Sequence, residues 1–391
     1  MMKSAGEIKM QRTISLICAI LFVAFSFTFL SVYQSPLLEV FYDKVATGKL
    51  MYNKYISAFV FTAILVLLAL FINRYTKFQR TWTAMAYLPS SALLALATDI
   101  DRSIYIGEKQ YLPWVTVSIL VLLIMTVSVS LQRGLLFPTV KHSVAAGNKI
   151  IWHNLLLLSL FFLFTGTISN GDEDLKNEAL AYVRYKHGDV DGALQVARKS
   201  NSATHELTAA RAFYLTEKSI LGERLFEYPQ QYAAEGLLPP MLQSTPLSPD
   251  SVYSLFRVKR EPKESALRYL SRVVSADSVP LFVADYYLCA LLLEKQLSEF
   301  VRKLPLFYDI NNNADALPKH YKEALMLYSN IVTDYTLPFE DMEMLEAFEL
   351  MQSIEEEHHD YHVRSNYVRR KFGKRYWWYY NYLEEIYILS R

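Results

Sequence analysis

From residue 13 to residue 169 the chain alternates long apolar runs with short charged flanks. Five runs stand out, at 13–33, 55–73, 81–98, 113–131 and 150–169. A helix needs about 20 apolar residues to cross the hydrocarbon core of a bilayer. LICAILFVAFSFTFL, FVFTAILVLLALFI, VTVSILVLLIMTVSV and NLLLLSLFFLFTGTI meet that need. The third run, TWTAMAYLPSSALLALAT, is short and carries Pro89 and two serines. It reads either as a crossing, with its freed carbonyl met by neighbouring helices, or as a re-entrant or interfacial segment. The cores of the runs hold almost no charged or amide residues. His153 and Asn154, at the start of the fifth run, read as interfacial polar residues rather than a proton relay. The pattern predicts an anchor or packing partner, without the paired broken helices of a transporter.

Beyond NGDEDLK the apolar spacing changes from continuous to helical. GDEDLKNEALAYVRYKHGDVDGALQVARKSN predicts a helix hairpin turning at Gly188-Asp189, with Ala193, Val196 and Ala197 as its second apolar stripe. This resembles one tetratricopeptide-type unit, although it lacks the Trp and Pro positions. Further helices are predicted over 204–219, 262–278, 279–304, 317–332, 338–357 and 375–389. The stretch 222–253, with its prolines, predicts an extended connection that packs Leu225, Phe226, Tyr228, Leu237 and Leu238. It is either a functional loop or a plain link. No strand alternation is present, so the fold class is all-α: about five transmembrane helices over 1–170, then a TPR-like solenoid or irregular helical stack over 171–391.

Composition agrees with that division. The 391 residues are 52% apolar, 14% aromatic and 20% charged, and the charges avoid most of the first 170 positions. A net charge of +1 supplies no bulk field for nucleic acid. Only 12 glycines are present, and no Gly-rich phosphate loop, nucleophile-elbow or dinucleotide motif occurs. Cys18, in an apolar run, and Cys289, in an amphipathic segment, suggest neither a disulfide nor a zinc or redox motif. Lys3, Lys9 and Arg12, then Arg74, Lys77 and Arg80, then Arg133, Lys141 and Lys149 mark alternate flanks as cytoplasmic. The 99–109 loop is acid-rich. Five crossings then put the carboxyl-terminal half outside, in the periplasm of a bacterium, with an uncleaved first anchor.

Several phrases follow one another in order: the Gly-Asp hairpin, GERLFEYPQQYAAEGLLPP, LPKHYKEALMLY and RYWWYYNYL. In this order the chain resembles a family of uncharacterised polytopic membrane proteins of Bacteroidota with a tetratricopeptide-like tail. The membrane half here is shorter than the resemblance implies. The resemblance implies no catalytic residue.

Two stretches carry candidate chemistry. EEEHHDYH, at 355–362, holds three of the eight histidines. Helical spacing continued from Met344, Phe348 and Met351 places Glu355, His358 and His362 on one face, a possible metal site. The competing reading is the solvated end of a helix. A second Glu-x-x-His helix is missing, and His205-Glu206 is followed by Ala209 rather than a zincin histidine. VRRKFGKRYWWYYNYL, at 368–383, interleaves base with aromatic residues. Arg369, Arg370, Lys374 and Arg375 with Trp377 and Trp378 suit anionic lipid at an interface. Alternatively the aromatics of a capping helix fill the last groove of the stack. Tyr286, Tyr287, Tyr321 and Tyr328 suggest a recognition face for a protein or peptide, and core packing explains them equally.

The expected function is a non-enzymatic envelope scaffold needing no cofactor, whose partners are membrane lipid and an envelope protein or peptide, not nucleic acid. The alternatives are an envelope lipid- or glycan-acting enzyme with a metal site at 355–362, and a transporter-associated subunit.

Overall fold

The computed structural model describes residues 5–46, 52–103, 112–132, 147–200, 202–241, 246–275, 279–310 and 312–389. Lys3, Arg133 and Lys141 of the charge pattern, and most of the 99–109 loop, lie outside them. Among the described residues the chain is helical and has no strand. It forms two compact units, 1–179 and 180–391, so the division falls later than the expected 170/171 boundary.

Among the described residues of the first unit four helices are long and apolar enough to span a bilayer: Lys9–Tyr33, Lys54–Thr76, Trp114–Gln132 and Asn148–Ile168. The third apolar run is not a continuous helix. A 3₁₀ segment, Arg80–Tyr87, leads into a ten-residue α-helix, Leu88–Ala97, with Pro89 in its first turn. Proline lacks an N–H, which suits a helix start and not a helix middle. The eight 3₁₀ residues and ten α residues together rise about 31 Å, close to the thickness of the hydrocarbon core.

This broken rod is buried by the other helices, which is what non-helical backbone at membrane depth requires. Asn154 holds it in place. Its Oδ1 accepts from Ala84 N at 2.8 Å and its Nδ2 donates to Arg80 O at 2.8 Å. Asn154 is 1% exposed, so it is a buried latch rather than an interfacial residue. Ser90 Oγ donates to Leu65 O at 2.8 Å and Thr165 Oγ1 to Ser91 O at 3.2 Å, tying the rod to two long helices.

Hydrogen bonds also fix which helix ends share a side. Gln11 Nε2 donates to Phe78 O, and Gln132 bonds both Lys77 O and Gln79 N. At the opposite end Gln34 Nε2 donates to Asn170 O, and Asn170 N to Thr98 O. The rod therefore leads from the end holding residue 11 to the end holding residue 170. Lys9, Arg12, Arg74, Lys77, Arg80 and Lys149 lie at or near the first end. Asp43, Lys44, Asp99, Asp101 and Arg102 lie toward the second.

The second unit packs helices around one core that runs from Ala181 to Tyr382. The expected hairpin is present as helices Glu173–Lys186, within which the division between the units falls, and Val190–Gln195. Gly188 takes φ +80 at the turn, and Asp189 caps the second helix by accepting from Gly192 N at 2.8 Å. Helix Leu281–Leu293 is buried on nearly every face and forms the centre. Helices Ala266–Val274, Leu297–Lys303 and Leu221–Arg224 pack directly against it, and His205–Glu217, Lys319–Ile331 and Met342–Glu357 contribute to the same core. Helix Tyr361–Phe372 is additional to those expected; Asp360 caps it by accepting from Val363 N at 2.9 Å. The described residues of the 222–253 connection form short α-helical and 3₁₀ turns, and Leu225, Phe226, Tyr228, Leu237 and Leu238 are all buried in it. Gly222 lets the chain pass close to Tyr321, whose ring a Cβ would meet at 2.7 Å.

Candidate anion-binding cleft

The four tyrosines expected on a recognition face are not on one. Tyr286, Tyr287 and Tyr321 are buried, and Tyr328 is half-buried, edge-on to Tyr335 at 5.1 Å. They lie on helices enclosed by their neighbours, and the Tyr321 hydroxyl serves an internal bond. Tyr321 and Tyr308 both donate to Asp285 Oδ1, at 2.8 and 2.6 Å. Burial raises the Asp285 carboxyl above its usual range, and the two phenols pull it part of the way back.

The metal triad is not assembled either. Helix Met342–Glu357 stops at Glu357, and His358 turns into extended backbone, which ends the stripe before its histidines. The Tyr382 hydroxyl donates to Glu355 Oε1 at 2.5 Å. The His358 ring stacks on Tyr367 at 4.4 Å, and His362 belongs to the next helix, beside Tyr361. His205 Nε2 lies between Glu235 O and Leu238 O, at 2.7 and 3.0 Å, where it pins the proline-rich connection.

The basic-aromatic tail separates by residue. Trp377 is wholly buried and Trp378 is 9% exposed, so neither faces lipid. Glu323, also buried, organises the start of the last helix. Its Oε2 accepts from Tyr376 N at 2.8 Å, its Oε1 from Arg375 Nη1 at 3.1 Å, and its backbone oxygen from Trp377 Nε1 at 2.8 Å. Arg375 is thus an internal ion-pair partner. Its side chain is one-fifth exposed.

Arg369, Arg370 and Lys374 remain outward, and with Lys371 they form one wall of a cleft of about 470 Å³. Two other segments complete it. One is the turn after the hairpin, with Arg198, Lys199 and Ser200; the other is Glu227-Tyr228-Pro229-Gln230-Gln231. Tyr228 locks these parts together. Arg198 and Arg211 approach its ring at 5.9 and 5.2 Å, and its hydroxyl accepts from Arg224 Nη2 at 3.4 Å. Burial draws the Arg211 guanidinium down to about 10. Across the cleft the Arg369 guanidinium lies over Trp378 at 5.5 Å.

Among the described residues Glu227 is the one acid lining this cleft, and Arg198 and Arg224 already engage it at 2.8 and 3.2 Å. Arg369, Arg370 and Lys371 also occupy the last turn of their helix, where cations offset the helix dipole. That accounts for three cations. It does not account for Lys374 beyond the helix or Lys199 on another segment, and like charges gathered around one cavity repel. The arrangement favours an anion. The other wide cleft, about 560 Å³, carries no such bias. Glu223, Asp315, Asp341 and Glu343 there mix with Lys319, Lys322 and Arg375, and Glu223 already accepts from Lys319 N.

Residues 261–383, less than half of the chain, match a family described as a family of unknown function (DUF6057). That span contains the tail wall of the cleft and omits the other two segments. No curated protein and no solved structure matches the chain.

Proposed function

We propose that this protein is a membrane-anchored, non-catalytic adaptor whose helical unit binds an envelope protein or peptide through the basic cleft. The observation that carries this reading is the gathering of cations from segments far apart in sequence around a cavity whose one acid among the described residues is already paired. We read the helical unit as a TPR-like stack, on the strength of the Gly-Asp hairpin and the successive helices around one core. We place the chain in a bacterial inner membrane, amino terminus cytoplasmic and helical unit periplasmic. The excess of lysine and arginine at the amino-terminal end of the first unit supports that orientation.

A photo-crosslinking residue in place of Gln231 tests the adaptor reading in cells. The expected result is a discrete protein adduct that disappears in a variant carrying Arg370→Glu, Lys371→Glu and Lys374→Glu. An adduct unaffected by those changes, or adducts to lipid alone, would contradict it.

A further inference from the structure

The wider cleft, of about 560 Å³, lies within the second unit, and its charged groups divide by sign and by element. Lys319 and Lys322 stand one turn apart on helix Lys319–Ile331. Arg375 joins them through its bond to Glu323 of the same helix. The acids come from other elements. Glu223 belongs to helix Leu221–Arg224 and Asp315 to the 3₁₀ turn Ala314–Ala316. Asp341 caps helix Met342–Glu357, and Glu343 lies in its first turn.

Opposite charges around one cavity attract, yet among the described residues none of these seven forms an ion pair with another. Two of the acids serve backbone instead: Glu223 Oε2 accepts from Lys319 N at 2.6 Å, and Asp341 Oδ1 from Met344 N at 3.0 Å. The carboxylates of Asp315 and Glu343 are exposed and have no hydrogen-bond partner among the described residues. The Lys322 ammonium lies over Phe339 at 5.6 Å, and that of Lys319 meets no acceptor among those residues. Lys319, Lys322 and Arg375 are half-buried, and none of their unpartnered nitrogens is enclosed. A ligand in the cleft reaches both signs of charge.

An anion alone would meet the lysines and be repelled by Asp315 and Glu343, and a cation alone would meet the reverse. A molecule carrying both signs satisfies both. We infer that this cleft binds a small zwitterion with a free ammonium and a free carboxylate, an amino acid or a short peptide. Lys319, Lys322 and Arg375 hold the carboxylate, and Asp315 and Glu343 hold the ammonium. The volume falls in the range of small-molecule sites. The site shares no described lining residue with the basic cleft, and it does not rest on the adaptor reading.

The test uses the full chain in a non-ionic detergent, titrated calorimetrically with the common free amino acids and with a pool of free tripeptides. A member of one set is expected to bind, with affinity falling as salt rises, and the set that binds assigns the source. The N-acetylated and the carboxamide forms of that ligand, each lacking one charge, should bind about tenfold more weakly or worse. Lys319→Gln with Lys322→Gln should weaken the free ligand by about tenfold and barely affect the carboxamide. Asp315→Asn with Glu343→Gln should weaken the free ligand and leave the N-acetylated form unchanged. Both variants spare the capping Glu223 and Asp341. An N-acetylated form that binds as tightly as the free ligand would make this an anion site, and an equally tight carboxamide would make it a cation site. Either result overturns the inference, as does the absence of binding by both sets. The comparison of blocked and free ligands needs no variant, so misfolding would not blunt it. Arg370→Glu with Lys371→Glu should leave this binding unchanged, which keeps it distinct from any failure of the adaptor reading.

Discussion

Asp285 and Glu323 show how buried acids can build a fold rather than a site. Each is surrounded by donors: two phenols for Asp285, and a backbone N–H, a guanidinium and His320 Nδ1 for Glu323. For Asp285 the sign of the pH effect follows from its raised carboxyl. Between the ordinary aspartate value and the raised one, the folded state holds more protons than the unfolded state. Stability therefore falls as pH climbs through that window and is level above it. Asp285→Asn keeps an acceptor for Tyr308 and Tyr321 and carries no charge to desolvate. It should match or exceed wild type in thermal unfolding at neutral pH and lose this part of the pH dependence. Asp285→Ala strands the buried Tyr321 hydroxyl and the half-buried Tyr308 one and should lose about 2 kcal/mol. Equal losses from Asn and Ala would refute this account. None of it was legible in the sequence, where Tyr286, Tyr287, Tyr321 and Tyr328 read equally as surface or core. The spacing of a helix buried all round does not mark an outward face.

At the scale of elements, the apolar runs were the strongest signal, because a bilayer demands length and composition together. Four of them are long helices. The run at 81–98 is the exception, and its cause is local: Pro89 starts a helix and cannot continue one. The compensation is distant. Asn154, 65 positions after Pro89, supplies the bonds, and no pattern within either segment announces the pairing. Asn154→Leu removes both and should destabilise the first unit by about 2 kcal/mol in detergent melts. Asn154→Asp, which keeps the acceptor for Ala84 N, should lose less. An unchanged melting temperature for Asn154→Leu would show that the rod does not depend on this latch. The helices of the second unit were largely legible from their 3.6-residue spacing, apart from Tyr361–Phe372, whose polar sequence carries little apolar stripe. EEEHHDYH failed as a site because the helix that would align it ends at Glu357.

For the whole molecule, the cleft was half legible. The tail's cations stand out in sequence, but Lys199 and Gln230 join them only through the fold, since Arg198 and Arg369 are 171 positions apart. An adaptor of this kind works only if the helical unit is on the side where its partner lies. The proposed orientation puts it outside, because the rod leads across the first unit and more lysines and arginines lie at the amino-terminal end than at the other. Topology is therefore the most direct measurement. Ser202 is exposed, whereas Cys18 and Cys289 are both buried, so Ser202→Cys provides one reactive thiol without further changes. Intact cells treated with a membrane-impermeant thiol reagent should label it, to the same extent as lysed cells. Labelling only after lysis would put the helical unit in the cytoplasm and contradict an envelope adaptor.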